Sequence, residues 1–238
     1  MGTEGHLTGN DGSSTLRINS GSGSVRIVAE DRDDIHVRGA DVEHDVVAGV
    51  NIWTINKTSG RVTAHVPTNT NLLIGTTSGS TKVEGRTGRT VVMTASGRVH
   101  VENAEEVDIR VKSGTVRVDQ CDGDCCIRCD SGSVKVINAG ACDVHAKSGR
   151  VSIENADGDT AIRALSGAVE VGFAGAHDAD IEAMSGRVTV TVPDGVHLDV
   201  DAETGTGNLV NTVPDGTDAS VKVRTSSGRI KISTADDR

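Results

Sequence analysis

The chain has 238 residues, a formal net charge of −10, one Trp, one Phe and no Tyr. That composition excludes a conventional aromatic-rich core, and the sign of the charge argues against wholesale nucleic-acid binding. No apolar run approaches the roughly 18 residues of a spanning helix. Val, Ile and Ala in short alternating runs, with 29 Gly among many Ser, Thr and Asp, instead describe many short strands joined by turns.

Residues 1–14 are Gly- and Ser-rich and read as a flexible leader ahead of one domain over 15–238. They show no basic-then-apolar signal pattern, so the expected location is cytoplasmic. From residue 15 an array begins in degenerate form. Leu16 and Ile18 lead to Ser20-Gly21-Ser22-Gly23, and Val25 and Ile27 follow. A second corner is expected at Gly39-Ala40, with Ile35 and Val37 before it and Val42 after it, which places two coils between Gly23 and Gly60.

The repeat is plainest from Ser96 to Gly167, where one phrase recurs four times: SGRVHVENAEEVDIRVK, SGTVRVDQCDGDCCIRCD, SGSVKVINAGACDVHAK and SGRVSIENADGDTAIRAL. A period this short is close to one coil of a β-solenoid. Ile109, Val111 and Ser113 alternate on one side of a strand, Gly114 interrupts, and Val116 and Val118 resume one residue out of step. A one-residue slip would turn the apolar set outward unless the chain bends at Ser-Gly, which glycine permits. Corners are thus expected at Gly60, Gly79, Gly97, Gly114, Gly132, Gly149, Gly167 and Gly186, then at Gly207 and Gly228. Asn103, Gln120, Asn138 and Asn155 recur beside the small residues Ala104, Cys121, Ala139 and Ala156, a spacing that suits an amide ladder. The fold class is all-β, a single-domain parallel β-solenoid (β-helix) of about 11–12 coils of 17–21 residues, right-handed by the crossover preference. A lone coil buries too little to fold, so stability comes from stacking and the end coils need caps.

Trp53 falls in an inward row with Leu72, Val107, Ala179 and Leu198 and reads as a core filler. Five cysteines crowd into Cys121, Cys125, Cys126, Cys129 and Cys142. Register turns all but Cys126 inward as small hydrophobes; a Cys125–Cys142 bridge stays open, because stacked coils bring them within disulfide range. Cysteine and histidine spacings match no zinc pattern, the Asp-Gly pairs are turn signals, and no residue set names a reaction. Cofactors, metals and catalytic residues are therefore not expected.

The surface signal is charge. Between Ser96 and Leu165 the cations Arg98, Arg110, Lys112, Arg117, Arg128, Lys135, Lys147, Arg150 and Arg163 occupy outward strand positions near the Ser-Gly corner, while most acids gather toward the opposite turns. One reading is solubility and protection from lateral pairing. The other is a binding face for an anionic polymer or a protein, with Arg110, Arg128 and Arg163 in one row and Arg98 and Arg150 in another, and with no sequence-specific nucleic acid.

The phrase SGxVxV…A…DIxV, sustained from about Ser20 to Ile232, resembles the bacterial "putative adhesin" β-strand-repeat family of unknown function, also called toastrack-type domains. The resemblance implies a stacked, non-enzymatic β-solenoid associated with the cell envelope, acting as an interaction scaffold. The alternative is end-to-end self-association of end coils into a filament. A polysaccharide-cleaving β-helix ranks last, since such clefts need aromatic platforms and clustered carboxylates.

Overall fold

The structure, a computed structural model, describes residues 4–8, 14–47 and 50–237. Its contacts divide the chain into two compact units, Met1–Asp122 and Gly123–Arg238. Each is a ladder of bent parallel strands, and the described residues contain no α-helix.

In the first unit β2 (Thr15–Glu30), β5 (Val50–Pro67) and β6 (Asn71–Cys121) carry the coils, β6 running through three corners without a break. β2 pairs in parallel with β5 on one edge and β6 on the other, so Trp53, Leu16 and Leu72 form one row. The first coil in sequence is therefore not the first in the ladder. The outer edge of β5 explains why. β4 (Val42–Val47) runs antiparallel to its first limb and β3 (Asp34–Arg38) antiparallel to its second. Within the stretch read as a leader, β1 (Glu4–Thr8) pairs antiparallel with β3.

The expected coil around Gly39-Ala40 is thus corrected. Residues 34–47 form two short antiparallel strands that cap β5, although Gly39 does take a positive φ of 92°. With one edge of β5 occupied by this cap, β2 is left the other edge.

In the second unit β7 (Cys125–Ala139), β8 (Cys142–Ala156), β9 (Thr160–Phe173) and β10 (Ala179–Val192) stack in chain order. β12 (Ala219–Thr234) then inserts between β10 and β11 (Leu198–Asn211), so the last coil in sequence is the penultimate one in space. A 3-10 turn, Ala235–Asp237, follows.

Apart from Gly39-Ala40, the expected corners are present. Gly60, Gly79, Gly97, Gly114, Gly132, Gly149, Gly167 and Gly186 have φ between 102° and 146°, and Gly23, Gly207 and Gly228 join them. These eleven glycines account for eleven coils. The column has a second requirement besides conformation: a Cβ at Gly149 would overlap the carbonyl of Gly132, one at Gly167 that of Gly149, and one at Gly228 that of Gly186. Neighbouring coils approach too closely for any side chain.

Inside each unit the rows are Val, Ile, Leu and Ala, nearly all fully buried. Trp53 is 3% exposed and stacks on the His44 imidazole with ring centroids 3.7 Å apart. Leu198 is not in the row of Ala179; Val221 and Val200 are, while Leu198 sits two residues earlier beside Ala219. Cys121, Cys125, Cys129 and Cys142 are buried thiols and Cys126 is half-buried. Cys125 lies directly beside Cys142 in the ladder. The expected amide ladder is present in part: Asn155 Nδ2 donates to Asn138 Oδ1 at 3.0 Å, whereas Gln120 bonds its own turn at Asp122; a separate amide pair, Asn19 Nδ2 to Asn56 Oδ1 at 2.9 Å, lies before the corner.

Candidate functional site

A bent parallel coil displays its outward side chains in columns, one residue per coil, with neighbours about 4.8 Å apart. Chemistry on such a surface depends on what each column repeats, and on whether neighbouring columns neutralise it.

In the first unit, Arg110 lies 3.0 Å from Asp108 and Arg117 lies 2.7 Å from Asp119. Arg98 and Lys112 form no ion pair with a described residue. In the second unit, Lys135 lies 2.6 Å from Glu154, Lys147 2.8 Å from Asp130, and Arg163 3.4 Å from Glu182. Arg128 and Arg150 form none. Acids and cations thus share outward columns, and the expected segregation is incomplete.

Register also revises the rows within the second unit. His145 stands between Arg128 and Arg163, and Glu182, Arg224 and Glu203 continue that column. It alternates in sign toward its end, which suits self-neutralisation. It forms one wall of a groove of about 1050 Å³, whose floor is Cys129, Ala146, Ala164, Ala183 and Thr225 and whose far wall includes the exposed Leu165 and Met184. Small side chains make the floor deep. Burial, reinforced by the Asp130 charge, pushes the Cys129 thiol above its ordinary value, so this groove presents no reactive thiolate.

The column immediately after the glycine corner is different. In ladder order it reads Ser133, Arg150, Ala168, Arg187, Arg229 and Asn208. Arg150, Arg187 and Arg229 are all exposed, and none makes an ion pair with a described residue. Arg187 and Arg229 are direct neighbours although 42 positions separate them in the sequence, because β12 inserts beside β10. In the first unit the same coil position holds Arg61 and Arg98.

Arg61, Arg187 and Arg229 lie outside Ser96–Leu165, the stretch where the repeat and its charge pattern are plainest, and so were not among the expected face residues. A signal was present. Ser-Gly-Arg occurs at 59–61, 96–98, 148–150, 185–187 and 227–229, and the corner geometry puts each of these arginines at one place in its coil.

The chain is similar in fold to several solved structures. Over 98% of its length the chain is similar to a "putative adhesin" from Bacteroides fragilis (97% of that chain, 11% identity, TM-score 0.49). It is similar also to a "putative cell adhesion protein" from Clostridium sporogenes (98% of this chain and 100% of that one, 10% identity, TM-score 0.33). A third, a "putative adhesin" from Parabacteroides distasonis, matches at 97% of both chains, 14% identity and TM-score 0.36. The chain resembles the putative-adhesin repeat proteins. At these identities and scores the likeness is one of fold, and the architecture given above rests on the strand pairing itself. No family model matches the sequence, and no curated protein does. Among the described residues no helix is long and apolar enough to cross a membrane.

Proposed function

We propose that the protein is a non-enzymatic, adhesin-like interaction scaffold that holds an anionic polymer or an acidic protein surface along its post-corner arginine columns. The observation that carries this reading is the Arg150, Arg187 and Arg229 column, whose three guanidiniums are exposed and pair with no carboxylate of a described residue. Like charges about 4.8 Å apart repel. The ladder accepts that cost at Arg187 and Arg229, while elsewhere on the same surface Arg110, Arg117, Lys135, Lys147 and Arg163 each have an acid beside them. An external anion would offset the repulsion, and a linear one could engage several coils at once.

Arg98, Lys112 and Arg128 belong to the same reading as secondary contacts. The five ion-paired cations of the original nine-residue face serve chiefly to keep it soluble. An envelope setting, where anionic polymers and lipid headgroups abound, agrees with the names of the structural neighbours. The filament alternative is disfavoured by the antiparallel cap on β5, which occupies Val50–Ile55 and Thr63–His65 of that edge and so obstructs parallel head-to-tail addition of another coil.

The test is retention of the whole chain on immobilised dextran sulfate and on anionic vesicles at low ionic strength. Wild type should be retained and released by salt, with the salt slope falling by about one for each arginine removed. The triple variant Arg150→Glu, Arg187→Glu, Arg229→Glu should pass through unretained with an unchanged melting temperature. Charge reversal at Arg110, Arg117 and Arg163 should have a much smaller effect. An unretained wild type sinks the proposal.

A further inference from the structure

The two ladders end differently. β5 is covered along its first limb by β4 and along its second by β3. β11 pairs with β12 on one edge, and on its other edge Leu198 alone is met, by a bridge to Asp215. The Gly216 amide donates to the Leu198 carbonyl at 3.1 Å there. From Asp199 to Asn211 no described strand covers that edge. A long open edge is a template for pairing, and this one adds apolar surface: Leu209 is 42% and Val210 37% exposed, although the register neighbour of Leu209, Ile230, is fully buried.

Charge along β11 selects the occupant. Before the corner it carries Asp199, Asp201 and Glu203; after the corner it carries Asn208, Leu209, Val210 and Asn211. Asp201 is met by Arg224 at 3.3 Å, while Asp199 and Glu203 form no ion pair with a described residue. A second β11 laid parallel and in register would put acid on acid, which is unfavourable for directly opposed residues. Laid antiparallel, the acidic limb of each copy meets the uncharged limb of the other. One strand deeper on that limb are Arg229 and Lys231, the register neighbours of Asn208 and Val210, so the acids gain opposite charge as well.

We propose that β11 is a two-fold interface, through which a second copy of this chain pairs antiparallel along Asp201–Asn211 with the symmetry axis near Thr206. Such a contact is isologous and closes at two copies. It consumes the open edge and leaves Arg150 and Arg187 facing outward; Arg229 borders both surfaces, so the two properties are told apart by substitutions on β11 that leave all three arginines in place.

The experiment is light scattering coupled to size exclusion across a concentration series, on wild type and on Leu209→Lys and Val210→Lys. Wild type should give a concentration-dependent mass that levels at twice 24.5 kDa, and Val210→Lys should remain monomeric with unaltered circular dichroism. Leu209→Lys should behave alike, and Val210→Lys keeps the proposal testable if Leu209→Lys misfolds. A Thr206→Cys variant in a Cys126→Ser background should form an interchain disulfide on mild oxidation, because antiparallel pairing about residue 206 juxtaposes the two copies of that residue. A monomer at every concentration, a mass that grows without limit, a dimer indifferent to Val210→Lys, or no cross-link at Thr206→Cys would each overturn it.

Discussion

Gly149 packs directly against the carbonyl of Gly132, with no room between them for a Cβ, while Gly60 at the end of its ladder faces only the Lys57 side chain at 3.4 Å. Both hold positive φ, 124° and 102°, so any other residue is strained at either. Only Gly149 adds a backbone collision. Gly60→Ala should cost about 1–3 kcal/mol from conformation alone. Gly149→Ala should cost more than about 4 kcal/mol or abolish folding, and Ser152→Val, on an outward position, should be nearly neutral. Urea titration gives the three midpoints, and equal shifts at Gly60 and Gly149 would remove the close-approach argument.

The corners were legible because the requirement is local and stated twice: an apolar alternation changes phase at the residue that alone tolerates positive φ. Coil order was not, because every coil carries the same phrase and any one can stack on any other. The swap of β11 and β12 has a physical reason. β12 turns Val223 and Ile232 inward where β11 offers Ala202 and Asn211, so the more apolar coil takes the position covered on both sides. Pairing between coils was hidden as well, since Arg163 meets Glu182 only through stacking, whereas Arg110–Asp108 and Arg117–Asp119 are two residues apart on one strand.

Among the thiols, Cys126 should be modified first under native conditions. Cys121, Cys125, Cys129 and Cys142 are buried, and burial holds the Cys129 thiol above its ordinary value, leaving little thiolate at neutral pH. Timed alkylation read by mass spectrometry should show one fast label and four that appear only with denaturant. Two or more fast labels would mean that the inward rows open readily.

Glu84 gives a pH dependence of known sign. Hydrogen bonds from Lys82 and, at 2.6 Å, from Arg26 hold its carboxyl below the ordinary carboxylate value, against a smaller opposing effect of burial. A depressed folded-state pKa stabilises above the unfolded value and is lost as pH falls through the folded one. Glu84 is half-buried but both of its cationic partners reach into solvent, which screens the pairs, so Glu84→Gln should cost about 1 kcal/mol at pH 7. That difference should shrink as pH falls through the depressed folded-state pKa and disappear once the carboxyl is protonated in both states. A penalty that persists in acid would assign it to packing.

Trp53 is the single tryptophan and lies in the row that β4 closes through His44. Its emission should be blue-shifted in the native state and should report the first unit alone. Trp53→Ala should cost about 3–5 kcal/mol and shift only that unit's transition. His44→Ala, which uncovers one ring face, should redden the native emission with a smaller loss of stability. Identical circular dichroism and fluorescence transitions in all three proteins would show that the units do not unfold independently.

The last coil in sequence should be among the best protected from hydrogen exchange. Chain termini ordinarily fray, and coils stacked in chain order would leave residues 219–234 at the exposed end with 198–211 shielded beneath them. The ladder reverses this. β12 has β10 on one side and β11 on the other, so Val221–Ile232 is paired along both edges, whereas β11 is covered past Leu198 on one edge only. Amides that open locally exchange with the free energy of that opening, and peeling β11 away breaks one ladder where releasing β12 breaks two. Exchange read by mass spectrometry at low protein concentration should therefore show peptides from 219–234 slower than those from 199–211. Raising the concentration should slow 199–211 selectively if β11 pairs with a second copy, and leave 219–234 unchanged. Faster exchange in 219–234 than in 199–211 at low concentration would contradict the inserted order of β12.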